Sequence, residues 1–204
     1  PMSSALSSSM ASAMALSREY DSKVQVVDNL KISVPLRQSV LDALNLVNMG
    51  FDAKQIKSKL ESSKMDTSIF IMVDTLKYLK KGGRITPATA AVGTLLNIKP
   101  ILKIKGNKPL DACAKARGIK QAVQVMLKAV DREIESDYKD EFDNKQIHFY
   151  VAHTQNDIAA KQFAEQIRQR YNWKDDIYID KLSLSVACHV GPGALAMAIS
   201  KKLI

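Results

Sequence analysis

The side chains best suited to bind a small anion stand at two glycine turns of the sequence and at its serine-rich start. Arg84 follows Gly82-Gly83, and His189 precedes the turn Gly191-Pro192-Gly193. A guanidinium can hold a carboxylate or phosphate through two parallel hydrogen bonds, and serine hydroxyls can complete such a site. A neighbouring imidazole can bind the same anion or move a proton. Together these residues describe an anion-binding pocket better than a catalytic apparatus.

Plainer interpretations of both turns stay open at this point. Glycines that end one helix, before the pair Thr86-Pro87 opens the next, make an ordinary helix–turn–helix connection. A lone histidine at the end of a strand commonly has a structural role. An enzyme that acts on small acyl or phosphate substrates through Arg84 and His189 is a further alternative.

Other kinds of catalytic site have little support in the sequence. The histidines, His148, His153 and His189, lack the Cys-x-x-Cys or His-Glu-x-x-His spacing of metal sites. Cys188 and His189 are neighbours on a predicted strand, where successive side chains point to opposite faces, so they do not form a nucleophile–base pair. The patterns of a phosphate-binding P-loop and of a nucleophile elbow are absent. We therefore expect neither a metal nor a cofactor.

The composition is that of a soluble globular protein, with 46% hydrophobic and 25% charged residues in a chain of 204. Two cysteines, Cys113 and Cys188, provide no disulfide framework, which suits a cytoplasmic location. The sequence contains no apolar run of the length that spans a membrane, so stable membrane insertion is not expected.

The net charge of +9 raises an alternative function, that of a basic protein that binds nucleic acid or anionic surfaces. The lysines are scattered, and aromatic residues make up only 6% of the chain. Platforms on which bases could stack are therefore not evident, and we do not expect nucleic acid as a partner. Steep salt dependence of binding is the property that this alternative requires.

The predicted elements alternate between strands and helices, which indicates an α/β fold. The largely apolar residues 24–27 and the apolar residues 69–73 predict buried strands that pair in parallel, with helices over 33–48 and 52–62 between them. Asp52 and Gln55 have the spacing of a capping box at the start of the second helix.

The second half of the chain predicts a hairpin around Gly106-Asn107, followed by a long amphipathic helix after Arg117-Gly118. A strand over 147–152 and a helix with Phe163 and Ile167 on its buried face come next. The alternation of residues 182–187 predicts a last strand, and the turn after His189 predicts a terminal helix.

Five stretches of the sequence together resemble the DegV family of bacterial fatty-acid-binding proteins. They are Ser3-Ser4-Ala5-Leu6-Ser7, residues 73–85 with Gly-Gly-Arg-Ile, residues 96–102, Ala116-Arg117-Gly118, and residues 189–194 with His-Val-Gly-Pro-Gly. The resemblance runs along the whole chain. It implies an α/β fold of two domains: a truncated parallel-sheet α/β domain over residues 1–80, followed by a mixed or antiparallel-sheet α+β domain over 81–204.

The resemblance implies a lipid-binding function rather than an enzymatic one. Proteins of this family hold a long-chain fatty acid such as palmitate between their domains. They present its carboxylate to a separate fatty acid kinase, which forms an acyl phosphate for phospholipid synthesis. The binding protein is the partner of the kinase and not the catalyst.

Carried onto this sequence, the resemblance implies three sets of site residues. The carboxylate would be bound by Ser3 or Ser4 together with Arg84 and His189. The kinase would contact Arg117 and His189. The acyl tunnel would be lined by Ala88, Ala91, Val92, Leu95 and Ile98.

Two departures from the family pattern accompany the resemblance. The N-terminal part of the family's first domain, which carries a Thr-Ser pair that also holds the carboxylate, has no counterpart in this sequence. The usual Leu-Ser-Gly-Thr-Tyr is replaced by Leu6-Ser-Ser-Ser-Met10, which alters the residues of the local turn.

Overall fold

A six-stranded mixed sheet organises the residues that the structure describes. In the computed structural model these are residues 1–86, 98–108 and 110–204. The strands are β1 (Thr67–Met72), β2 (Ile98–Ile104), β3 (Asp111–Arg117), β4 (Ile147–His153), β5 (Tyr178–Lys181) and β6 (Leu195–Lys201). Their order across the sheet is β3-β2-β1-β6-β4-β5. The β4–β5 pair is parallel, and the other neighbours are antiparallel.

Eight α-helices accompany the sheet within the described residues. They are α1 (Ser9–Ser17), α2 (Ser33–Asn48), α3 (Ala53–Ser62), α4 (Lys77–Lys81), α5 (Gly118–Asp137), α6 (Lys139–Asp143), α7 (Asp157–Tyr171) and α8 (Leu184–Val190). The predicted helices at α2, α3, α5 and α7 are confirmed, and so is the β2–β3 hairpin. The predicted capping box is also confirmed, because Asp52 and Gln55 each accept a hydrogen bond from the other's backbone N–H. Within the described residues, no helix is both long and apolar enough to cross a bilayer.

The two faces of the sheet differ in the size of their side chains. Strand β6 reads Leu195-Ala196-Met197-Ala198-Ile199, and successive residues of a strand point to opposite faces. Leu195, Met197 and Ile199 belong to a core packed under α5 and α7, whereas Ala196 and Ala198 belong to a second core on the opposite face. The first face is therefore filled by large side chains, and the second is left with space above its alanines.

The predicted strand over residues 24–27 is wrong, and so is the parallel pair that it was to form. These residues adopt no regular secondary structure. Strand β1 is hydrogen-bonded to β2 on one side and to β6 on the other, so it offers no free edge for a further strand. Val27 instead packs against Leu46 and Ile56 in a small separate cluster.

The C-terminal prediction is also wrong, because its strand and helix occur in the reverse order. Residues 184–190 form helix α8, and residues 195–201 form strand β6. Leu184, expected inside a strand, is 80% exposed at the start of the helix. Gly191 then adopts φ +81°, a conformation that ends the helix, and the alanine-rich segment becomes a central strand because partners flank it on both sides.

An α/β fold with a mixed sheet is thus confirmed. The division into domains at residues 1–80 and 81–204 stays a prediction. Strand β1, from the first of these ranges, lies in the same sheet as the strands of the second.

Candidate functional site

A largely apolar cavity with a volume of about 140 Å³ lies over the second face of the sheet. Its floor consists of two rows of side chains that the strand register places across β4, β6, β1 and β2. The lower row is Tyr150, Ala198, Ile69 and Ile104, and the upper row is Ala152, Ala196, Ile71 and Leu102. All of these residues except Leu102 line the cavity.

Three alanines make room for the cavity on this floor. Ala152, Ala196 and Ala198 are at most 6% exposed, so they lie in the interior, yet their side chains end at the methyl group. On the opposite face, the neighbouring positions of the same strands carry Phe149, Val151 and Met197 and are close-packed. The alternation of small and large residues along β4 and β6 therefore decides which face has a cavity.

The walls and roof come from four segments that pack over this floor. The segment around the start of α2 contributes residues 32–35, and the N-terminal segment contributes Met2, Leu6 and Ser7. Helix α4 contributes Leu79, and α8 contributes Val186 and Val190. The lining is therefore mostly aliphatic, as a site for an apolar chain requires.

Arg84 is one of two basic side chains that line the cavity within the described residues. Its Nη1 donates to the carbonyl oxygen of Gly82 at 2.7 Å, and its Nε donates to that of Leu6 at 3.3 Å. Within the described part of the chain, Nη2 makes no hydrogen bond. The guanidinium is thus held in place by two carbonyl oxygens while keeping a donor for an anion.

His189 is the second basic side chain of the cavity, and the turn after α4 leaves the space for it. A Cβ atom at Gly82 would overlap Nδ1 of His189, so any larger residue at that position would displace the imidazole. A Cβ atom at Gly191 would likewise overlap the ring of Tyr78. Helices α4 and α8 therefore pack closely together. The imidazole of His189 from α8 lies against Gly82 after α4, and the ring of Tyr78 from α4 lies against Gly191 after α8.

Tyr150 provides a buried hydroxyl at the lower row of the floor. The residue is 3% exposed, and its Oη has no hydrogen-bond partner among the residues that the structure describes. Burial is the main cause that raises the pKa of Tyr150, and the charge of Asp42 raises it further. The phenol is therefore neutral at any physiological pH, so it adds no charge to the cavity.

The serines of the N-terminal segment have two kinds of environment: one of them lines the cavity, and two others make hydrogen bonds outside it. Ser7 lines the cavity, whereas Ser3 and Ser4 are not among its lining residues. Ser3 is buried, and its Oγ accepts a hydrogen bond from the backbone N–H of Ala5 at 3.3 Å. The backbone N–H of Ser4 donates to Oδ1 of Asp28 at 3.3 Å. A carboxylate-binding role for Ser3 and Ser4 stays a prediction.

Of the remaining predicted site residues, two lie within the described part of the chain. Ile98 begins β2 and Arg117 ends β3, where they face each other in the register. Neither lines the cavity, but Arg117 lies at the edge of the sheet where β1 ends and α4 follows. The predicted tunnel residues Ala88, Ala91, Val92 and Leu95 lie outside the described residues.

The sequence interpretation missed several residues of the cavity, namely Ser7, Tyr150, Ala152, Ala196 and Ala198. The strict alternation of large and small residues in Leu195-Ala196-Met197-Ala198-Ile199 was the available signal for two of them. The same alanines favour a helix by their intrinsic propensity, so the sequence predicts a terminal helix there instead.

The described lining combines aliphatic side chains, one guanidinium and one imidazole, and it includes no carboxylate. Such a set suits an amphipathic anion, whose chain packs on the floor while its charged end meets Arg84 and His189. Within residues 1–86, 98–108 and 110–204, no cluster of three or more histidine, cysteine, aspartate or glutamate side chains could hold a metal ion.

Comparison with known proteins identifies the family. Residues 1–202 match the family model described as an uncharacterised protein of the DegV family. A DegV domain-containing protein of Clostridium perfringens is 31% identical over 197 residues, which are 96% of this chain and 65% of that protein. The chain therefore belongs to the DegV family, and it spans about 65% of the length of that relative.

Solved structures of the family share the fold. A DegV family protein from Thermus thermophilus, described by its fatty acid binding, matches with a TM-score of 0.84 at 30% identity, over 98% of this chain and 69% of that one. A fatty acid binding DegV family protein from Streptococcus agalactiae matches with a TM-score of 0.83 at 25% identity, over 98% and 68%.

Proposed function

We propose that this protein binds a long-chain fatty acid such as palmitate in the cavity over β1, β4 and β6. The observation that carries the proposal is a mostly aliphatic lining whose described members include Arg84 and His189 and no carboxylate. Family membership supports it, since the relatives from Thermus thermophilus and Streptococcus agalactiae bind fatty acids.

The apolar floor supplies the affinity and the basic groups supply the orientation. Each methylene removed from water contributes about 0.8 kcal/mol, so burying about ten of them yields roughly 8 kcal/mol before the cost of ordering the ligand. In the bound state the carboxylate accepts hydrogen bonds from Nη2 of Arg84 and from the imidazole of His189. Ser3 or Ser4 completes this set.

The proposal extends to a transfer step in which the protein itself makes no bond. It presents the carboxylate to a fatty acid kinase in the cytoplasm, and the kinase forms the acyl phosphate that feeds phospholipid synthesis. Arg117 and His189 contact the kinase, and Arg117 suits this role because it lies exposed at the end of β3, the edge strand of the sheet. We also propose, as the family resemblance implies, that the acyl tunnel involves Ala88, Ala91, Val92, Leu95 and Ile98.

The test compares palmitate with its methyl ester, which has the same chain but no charge. Arg84→Leu is expected to lower the affinity for palmitate about 10- to 100-fold, the loss of one charge-assisted hydrogen bond, and to leave the ester's affinity unchanged. Arg18→Leu, at an exposed arginine that does not line the cavity, is the matched control.

Mass spectrometry of lipid extracted from the purified protein provides the independent readout. A fatty acid is expected with the wild-type protein and with Arg18→Leu, and less of it with Arg84→Leu. A wild-type protein that carries no fatty acid and binds none when it is added would refute the proposed function.

A further inference from the structure

The cavity is deepest over β6, because Ala196 and Ala198 follow each other on the same face of that strand. The cavity floor therefore contains a groove that runs along β6. In the lower row, Ala198 stands between Ile69 on β1 and Tyr150 on β4. These two flanking strands are about 10 Å apart, twice the spacing of adjacent strands. The larger side chains of Ile69 and Tyr150 form the two walls, and the space between them above Ala198 admits one unbranched acyl chain. We call the strip over Ala196 and Ala198 the β6 furrow.

One end of the β6 furrow lies beside the basic residues. Strand β6 begins after the turn Gly191-Pro192-Gly193, which directly follows α8 and its His189. Thr154 fixes this turn, because its Oγ1 donates to the carbonyl oxygen of Gly191 at 2.6 Å and accepts from the backbone N–H of Ala194 at 2.9 Å. An acyl chain whose carboxylate meets His189 therefore enters the furrow from the start of β6.

The other end of the furrow is closed by polar side chains. The next residue of β6 on the same face is Ser200, which lies between Thr67 on β1 and His148 on β4 in the register. The hydroxyls of Ser200 and Thr67 share a hydrogen bond of 2.8 Å, and both residues are buried. A methylene chain pushed into this row would separate buried polar groups without replacing their hydrogen bond, which is unfavourable.

Resting on the proposed function, the geometry points to Ala198 as the residue that limits the length of the acyl chain. The chain runs along β6 from the His189 end, passes Ala196 first and reaches Ala198 last. The four residue steps from Ala194, which directly precedes β6, to Ala198 span about 13 Å. Straight saturated chains fit this furrow, and a chain that extends past Ala198 meets the row of Ser200.

Two leucine substitutions, one in each row, test this direction. Ala198→Leu fills only the far end, so the affinity for decanoate is expected to stay within about twofold of wild type. The affinity for palmitate and stearate is expected to fall by about tenfold or more. The loss of burial for only two methylene groups already lowers the affinity by roughly that factor. Ala196→Leu, the matched control, fills the near end and is expected to weaken all chain lengths alike.

Binding is measured with the full chain by competition among saturated acids from decanoate to stearate, with thermal unfolding as the check on folding. If Ala198→Leu does not fold, Ala198→Val provides a smaller obstruction of the same kind. Folded Ala198 variants that bind stearate as wild type does, or that lose decanoate and stearate equally, would overturn the assignment. A wild-type protein that binds no fatty acid contradicts the proposed function instead, so the two failures are distinguishable.

Discussion

The stability of the sheet beneath the cavity depends on one buried carboxylate, Glu133 on α5. Its Oε2 accepts hydrogen bonds from Oγ of Ser68 at 2.7 Å and from Nζ of Lys105 at 2.8 Å, and its Oε1 pairs with Lys103. Burial alone would raise the pKa of Glu133, but the bonds from the two lysines and the serine outweigh it and hold the pKa at about 2. Because Ser68 precedes Ile69 of the floor, this network joins α5 to the sheet that carries the site.

The lowered pKa of Glu133 determines how much this carboxylate contributes to the free energy of unfolding and how that contribution depends on pH. The pKa falls from 4.5 to about 2 on folding, so the charged form stabilises the folded state by about 3 kcal/mol above pH 4.5. A carboxyl group whose pKa is lowered loses this contribution as the pH falls from its unfolded value through its folded value. The linkage relation leaves roughly 1.4 kcal/mol of it at pH 3.

Glu133→Gln removes the charge while keeping the volume and an acceptor for Ser68. Denaturant unfolding at pH 7 is expected to show a loss of about 3 kcal/mol, and the difference from wild type is expected to shrink as the pH is lowered to 3. Glu135→Gln, at an exposed neighbour on the same helix, is the control and should change stability by less than about 0.5 kcal/mol. A loss of the same size at pH 7 and pH 3 would refute the electrostatic reasoning, since it would indicate a packing defect.

Two further predictions concern the cavity. Gly82→Ala forces His189 from its place, so palmitate affinity measured by titration should fall about tenfold. Gly83→Ala adds a methyl group that meets no atom, so it should leave affinity unchanged, although the φ of +64° at Gly83 means that alanine there costs about 1 to 2 kcal/mol of stability. Tyr150→Phe removes a hydroxyl that has no hydrogen-bond partner within the described part of the chain, so chemical denaturation should show equal or slightly higher stability. Tyr171→Phe, which removes a hydroxyl that donates to a carboxylate, should cost about 1 kcal/mol, and equal losses in both tyrosine variants would contradict this account.

Local signals in the sequence predicted the elements whose conformation is determined by neighbouring residues of the chain. The capping box of Asp52 and Gln55, the Gly106-Asn107 hairpin and the amphipathic pattern of α5 each depend on residues within a few positions of one another. Gly82-Gly83-Arg84 was likewise recognised as a turn that presents an arginine. The structure places that arginine at the cavity and holds its guanidinium with two carbonyl oxygens.

Elements whose identity depends on distant partners were assigned wrongly. Residues 24–27 have the apolar character of a strand, but β1 has no free edge to receive them. Residues 195–201 contain alanines that favour a helix, but they lie between β1 and β4 and complete two ladders of backbone hydrogen bonds. Pairing of this kind is decided far away in sequence, so local propensity could not reveal it.

The sequence by itself determined the family, the α/β class and the two turns that carry Arg84 and His189, because these depend on short motifs and local backbone conformation. Only the tertiary structure decided where the ligand's chain would lie. The floor over Ala196 and Ala198 exists because the register aligns small residues of β4 and β6 on one face of the sheet while large ones fill the other. Space between side chains is a property of several strands together, and no single segment of the chain contains it.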